Sequence, residues 1–528
     1  MKPAIDFGTC FSLPMLRVGG MIFDFERAEG IPTLYMYNSE ANKDMFGYEC
    51  RDSRYALAHP GDVIRNVKTL IRTNPKLIND PNAAISGGKS FSYREIIKKY
   101  LEFLIEKARE NAKKMAGDDS IQGICITAPV SSGTNMMLST EYRQMLEEVV
   151  GEITGLERDN IFVIGEPEAA GLHYFHGDSN ESTDVPEQTV LVFDLGGGTL
   201  DLTVMTYSCR AGHPKIEIKK VDGDPALGGN DWDKAFGDYI LQKIGTDAAH
   251  VRFTDEIEEN EFRERVVNAK HDLSTMPRAM LSFGVGGKIH SMYVTANEFE
   301  KATAHLLERA MELSRKIVQG YGDNIDKVVL VGGSSNMPQI KEGLERALPG
   351  FSADDILLHE PSKAIAKGAA IYMGIDNSNR FFPGEVFKTI AEASYGWGSL
   401  NSEKTPARDM IYFNLFKETP FPADGNISVD VDSSFHAIED DQSMVLFRVY
   451  EGTSVLASDC ERGHWLDFGP GQRSCGIELS IPVPEEYRGK AKSYLMYPRL
   501  ILDRNGILRL EVYDKNGGFI DAKQNAVH

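Results

Sequence analysis

The sequence predicts two folding units: a duplicated, two-lobed α/β domain over residues 1–376, and an all-β sandwich over residues 391–528, joined by a linker at 377–390. Three observations predict this. Up to Gly374, short apolar runs alternate with stretches of helical periodicity, the pattern of a layered α/β fold. Beyond it the helical period fades and alternation of period two takes over. Finally, a strand that ends in Asp-x-Gly occurs twice, at Asp6 and at Asp194, which points to a duplication within the first unit.

The elements follow in order. Ile5-Asp6-Phe7-Gly8-Thr9 reads as a strand entering a glycine turn. Ile96, Ile97, Tyr100, Leu101, Leu104, Ile105 and Ala108 recur at helical spacing, as do Phe299, Ala302, Leu306, Ala310, Leu313 and Ile317. Val190 to Phe193 and Val328 to Val331 are unbroken apolar runs, as expected of strands covered on both faces. In the last unit Ile427, Val429 and Val431 alternate with polar residues. Val445, Phe447 and Val449 do the same, as do Ile477, Leu479 and Ile481. Asp503-Arg504-Asn505-Gly506 between two strand-like runs predicts a hairpin turn.

Bulk composition narrows the function classes. Hydrophobic residues at 42% and charged residues at 26% fit a globular protein with substantial cores. A net charge of −21 disfavours phosphate-backbone binding and anionic membrane surfaces, so neither nucleic acid nor membrane is an expected partner. No apolar run is long enough for a membrane span, and the start lacks the apolar stretch of a secretory signal. The six cysteines are scattered and form no C-x-x-C pair, so a reducing, cytoplasmic location is expected.

The richest segment runs from Val190 through Asp194-Leu195-Gly196-Gly197-Gly198-Thr199-Leu200-Asp201. A hairpin needs only one or two glycines; three in a row leave successive backbone N–H groups free to line a concavity for phosphate oxygens. Asp194 at its mouth is suited to magnesium, directly or through water. Asp6-Phe7-Gly8-Thr9 is a weaker copy, and together the two hairpins would clamp a phosphate between two lobes. Val328 to Ser335 is a third strand ending in glycines, where Gly332, Gly333 and Ser334 would suit the adenosine part of a nucleotide. Taken alone, a Gly-Gly after a strand is a turn. The pattern G-x-x-x-x-G-K-[ST] is absent, which excludes the usual P-loop.

These residues resemble the seventy-kilodalton heat-shock chaperones, within the actin and sugar-kinase superfamily. The resemblance rests on Ile5 to Thr9, Gly165-Glu166-Pro167-Glu168-Ala169-Ala170, Asp194 to Asp201, Gly223-Asp224 with Leu227 to Asp231, Ala269-Lys270 with Leu273-Ser274, and Val329 to Ser335. In the β-rich part it rests on Tyr395-Gly396-Trp397, Glu439 to Ser443, Val449 to Gly452, and Asp503 to Leu508. It implies an actin-like (ribonuclease H-like) ATPase domain followed by a peptide-binding β-sandwich, with ATP, Mg2+ and a potassium ion as cofactors. By the same resemblance Lys68 orients the attacking water, and Glu166 and Asp194 organise metal and water. Asp6 and Asp201 line the metal sites. Thr9 and Thr199 lie near the β- and γ-phosphates, with Gly8, Cys10, Gly196, Gly197 and Gly198 around them. Gly229, Lys270 and Ser274 face adenosine. Trp397, Leu400, Phe435, His436, Val445 and Phe447 fall at peptide-groove positions, although Val445 and Phe447 read equally well as core residues of one strand face. The implied partners are unfolded or extended polypeptides, a J-domain cochaperone and a nucleotide-exchange factor.

The chain departs from the family in several places. Thr9-Cys10-Phe11 replaces the usual two threonines and a tyrosine. Val267, His271 and Asn336 replace a glutamate and two arginines around the adenosine, so adenine is expected to be held more weakly or differently. Phe162 replaces an arginine that docks J-domains, and Arg380-Phe381-Phe382-Pro383 stands where an acidic, leucine-rich linker is usual. The sequence ends soon after the β-rich region, so a lidless variant is expected. Two further readings remain open at this point: a nucleotide-gated protein recognising one folded partner, and a kinase or filament-forming ATPase of the same superfamily.

Overall fold

The computed structural model describes residues 1–18, 21–24, 30–129, 139–176, 185–210, 213–245, 253–321, 325–358, 360–376, 387–388, 391, 393–401, 408–417, 419–420, 426–430, 434–452, 455–460, 464–469, 472–503 and 505–524. Residues 377–386 and 389–390, including Arg380 to Pro383, lie outside them, as do Val431 and Arg504.

Two sheets share one strand order. In the first, Pro3–Phe7, Phe11–Val18 and Met21–Asp24 form an antiparallel meander, and Ile124–Ala128 and then Ile161–Gly165 add in parallel beside Pro3–Phe7. In the second, Val185–Leu195, Leu200–Arg210 and His213–Asp224 form the meander, and Lys327–Val331 and Ile356–Leu358 add in parallel beside Val185–Leu195. The duplication inferred from the two Asp-x-Gly turns is thus a duplication of sheet topology.

The apolar runs are explained by what covers each face. Side chains of a strand alternate between faces. Leu191, Phe193, Val328 and Leu330 enter one core with the helices Gly229–Lys243 and Ala296–Tyr321, while Val190, Val192, Val329 and Val331 enter a second. That second core also takes Ala4, Leu13 and Met15 from the first sheet, so the two lobes share it. Between the sheets cross the helices Glu166–His176 and Ala364–Asp376, packed closely enough that a Cβ on Gly368 would fall 1.6 Å from the Ala169 carbonyl oxygen. The helix Tyr93–Ala116 covers the outer face of the first lobe. Ser92 caps its start by accepting from the Glu95 N–H, Gly117 at φ 72° ends it, and the predicted apolar stripe is buried.

The C-terminal unit packs a five-stranded sheet on a four-stranded one, with residues of both sheets in a common core. Asp503 to Gly506 does link Met496–Leu502 to Leu508–Asp514 as an antiparallel hairpin. Within the span expected to be linker, Phe387–Lys388 is a short strand added in parallel to the edge of the second lobe beside Ile216 and Glu217.

The hairpin also touches the first lobe. The Asn505 amide donates to Glu147 Oε2 at 2.8 Å and to the Ile161 carbonyl at 3.3 Å, and its oxygen accepts from the Val163 N–H at 3.2 Å. Arg158 bonds Asp503 at 2.8 Å beside it.

Candidate active site

The site lies where the central strands of both lobes end. Asp6 sits at the end of Pro3–Phe7 and Asp194 at the end of Val185–Leu195; Asp201 is the cross-strand partner of Asp194. All three are buried. Lys68, on the short helix Val67–Thr73, reaches into the same space and donates to the Phe7 carbonyl at 2.8 Å and to Glu166. Lys68 and Glu166 are 3% and 6% exposed, so the pair is shut off from water, where each charge requires the other.

Among the described residues no further cation pairs with the remaining carboxylates. Burial first, and the charge of Glu166 second, push Asp6 up to about 7, against the pull of Lys68 and a 2.9 Å hydrogen bond donated by Thr127. Asp194 is raised well above the usual carboxylate range by burial and then by Glu166, Asp201 and Asp6. Lys68 is held above its ordinary value: burial opposes its charge, but Glu166, Tyr142 and Asp6 outweigh it. One oxygen of Asp201 is buried without a hydrogen-bond partner, while Thr199 donates to the other at 3.0 Å. Four acids surround one lysine, with an orphaned carboxylate oxygen among them; among the described residues they do not close into a direct metal-ligand cluster, so a divalent cation would sit among them with waters between. Magnesium keeps several waters, so Asp6, Asp194 and Asp201 would hold it partly through them.

The two glycine hairpins face one another. A Cβ on Gly197 would fall 2.3 Å from Cys10 Sγ, and one on Gly198 would come within 3.3 Å of the Thr9 side chain. Gly332 has φ 79°, and a Cβ there would meet the Leu195 carbonyl oxygen at 2.3 Å and Asp194 at 2.5 Å, so the third glycine turn packs directly on the second. Ser334 donates to the Gly196 carbonyl at 2.9 Å. Gly8, Thr9, Cys10, Gly196, Gly197, Gly198, Gly229, Gly332 and Ser334 therefore lie close together, and Gly333 stands exposed beside them.

Lys270 does not point freely at a ligand. It pairs with Asp233 at 2.8 Å and donates to the Gly229 carbonyl at 3.1 Å, while Ser274 turns back on the Lys270 carbonyl. Asn336, exposed, bonds the Gly333 carbonyl. Across the mouth of the cleft Arg65 donates to Asn260 at 3.0 Å and Arg51 faces Glu264 at 3.7 Å.

The β-domain corrects part of the peptide-groove expectation. Trp397 and Phe447 are 0% and 3% exposed, inside the sandwich, because the facing sheet covers that side of their strands. Phe435 is half-buried against Trp397, with ring centroids 5.2 Å apart. Leu400 and Val445 are half-buried and His436 is exposed. Among the described residues Ile438, Met444 and Leu446, which were not singled out in the sequence, reach solvent near these strands, as do Leu456, Phe468 and Phe519 elsewhere in the domain. Phe162, at the position of the docking arginine, is a core residue stacked edge-on against Tyr372.

Sequence reasoning also missed Thr127, Tyr142, Asn66 and Asn230. Asn230 lies in the Leu227 to Asp231 string, yet nothing in that string marks its partners; each of the four is drawn to the site by the fold. In comparison with known families, the family model described as Hsp70 protein matches residues 79–465 of the chain.

Proposed function

Since the chain belongs to the Hsp70 family, whose members are ATPases that bind ATP with Mg2+ and act on unfolded polypeptides with cochaperones, we propose that this protein is a slow, ATP-dependent chaperone. It hydrolyses ATP between its two lobes, in an actin-like cleft, and holds extended segments on its β-domain. The observation that carries this reading is the buried Lys68–Glu166 pair beneath two facing glycine hairpins, ringed by Asp6, Asp194 and Asp201.

The chain's own groups account for the chemistry. Backbone N–H groups of the Gly8–Cys10 and Gly196–Thr199 turns bind phosphate oxygens. The Lys68 ammonium, fixed by the Phe7 carbonyl and Glu166, orients a water towards the terminal phosphate, and Glu166 and Asp194 accept hydrogen bonds from that water. The closed hairpins exclude bulk solvent, which strengthens each of these interactions. A bound magnesium would neutralise phosphate charge as it builds.

Exposed Met444 and Leu446, alternating along one strand and so on one face, support binding of an apolar extended segment. Thiols at positions 10, 50, 125 and 460 that form no disulfide support a reducing, cytoplasmic setting. The test is ATP turnover with and without an extended apolar peptide. Stimulation that Leu446→Ser abolishes is expected; a peptide library that neither binds nor stimulates would remove the chaperone half of the reading.

A further inference from the structure

We infer that Asn230 is a positioning residue that clasps the cleft shut and sets the lysine helix, by joining three parts of the site that belong to different lobes. This deepens the ATPase reading and rests on it.

Asn230 lies in the first turn of the helix Gly229–Lys243 in the second lobe. Its backbone N–H donates to the Gly197 carbonyl at 2.8 Å, and that of Gly229 to Gly196 at 2.9 Å, so the helix start is fastened to the second glycine hairpin. Its side chain spans to the first lobe with both ends of the amide. The oxygen accepts from Cys10 Sγ at 3.5 Å, on the first glycine hairpin. The nitrogen donates to Asn66 Oδ1 at 3.3 Å.

Asn66 is the second half of the argument. It immediately precedes the helix that carries Lys68, in the left-handed conformation at φ 55°, which asparagine tolerates better than most non-glycine residues. A residue in that place usually caps its own helix, yet the Asn66 side chain makes no such bond and faces Asn230 instead. This left-handed turn is thus tied across the cleft, two residues before the catalytic lysine. Opening the lobes must break the amide from Cys10 and Asn66 together, and with them the tether on the lysine helix.

Retention of nucleotide and placement of Lys68 therefore depend on the same side chain. Substitutions that remove either end should raise the release rate of a fluorescent ATP analogue and lower the single-turnover hydrolysis rate. Asn230→Ala removes both bonds, Asn230→Asp removes the donor while keeping shape, and Asn66→Gly removes the acceptor while tolerating the left-handed backbone. A hydrogen bond of this kind leads us to expect roughly three- to tenfold faster release in each. Because one contact is shared, the double variant Asn66→Gly/Asn230→Ala should release no faster than Asn230→Ala alone. A purely structural role would give multiplying effects and leave single-turnover hydrolysis untouched, and either result overturns the clasp. Release from Asn230→Ala at the wild-type rate overturns it too. A wild-type chain that retains no nucleotide overturns the ATPase reading itself, which separates the two failures.

Discussion

At the residue scale the site is a concentration of acid in a place that cannot dissolve it. Asp6, raised to about 7, keeps its proton in the folded chain where the unfolded chain would have lost it. Between the usual carboxylate range and about pH 7, the folded state binds more protons than the unfolded one, so this group's contribution to stability falls as pH rises through that window. Asp6→Asn removes the effect. Its thermal stability without nucleotide should exceed that of the wild type by a margin that grows from about pH 5 to about pH 8, and a margin independent of pH would contradict the assignment. Since a cation must displace that proton, Mg–nucleotide affinity should weaken as pH falls below about 7. The lysine behaves oppositely. Lys68→Ala strands a buried Glu166, and a loss of about 3–5 kcal/mol in unfolding free energy is expected by denaturant titration. Lys68→Ala/Glu166→Gln should recover much of that stability and none of the activity. Asp194 and Asp201 were legible from one string whose residue types make sense only together, and Asp6 from its weaker copy, whereas Lys68 and Glu166 were named only through the family resemblance. Thr127, Asn66 and Asn230 were not, since hydroxyl and amide side chains carry no sequence pattern that marks a partner more than a hundred positions away.

At the scale of elements, the strands were easiest to read where both faces are covered. Val190 to Phe193 must be uniformly apolar because one core takes the even residues and another the odd ones. The long helix Tyr93–Ala116 was legible for its stripe and its Ser92 and Gly117 ends. In the β-sandwich, alternation gives two faces but not which one the partner sheet covers, and so Phe447 was left open between groove and core and Trp397 was given a groove position by resemblance, whereas both are buried in the core. The third glycine turn shows how tightly elements constrain the site. Gly332 combines φ 79° with contact on Leu195 and Asp194. Gly332→Ala should cost roughly 1–3 kcal/mol of stability from backbone strain, and ATP turnover should fall because the new methyl pushes on Asp194. Unchanged turnover would mean that Asp194 does not depend on that turn for its position.

At the scale of the whole molecule, two lobes share a core below the cleft while the β-domain reaches the first lobe through Asn505. The asparagine-glycine turn was read from sequence as a hairpin and as part of the family resemblance, because Asn-Gly is explained by turn geometry alone; its contact with the first lobe appears only where the strand Ile161–Gly165 meets it. That strand runs straight into Glu166, so docking of the β-domain bears on a site residue through three positions of rigid backbone. Asn505→Ala leaves Glu147 and the Val163 N–H without that partner, at a cost of about 1–3 kcal/mol to docking. Small-angle scattering should show a larger separation of the domains in this variant, and peptide should lose its effect on turnover; an unchanged profile with intact stimulation would contradict the coupling. Beneath all of this stands one claim, that Lys68 and the acids of both lobes act on a single Mg–ATP. The most direct test is steady-state ATP turnover by the purified full chain beside Lys68→Ala and Asp194→Asn, with magnesium and with chelator. Turnover that requires magnesium and is lost in both variants is the predicted result, and turnover that survives either substitution would contradict the account.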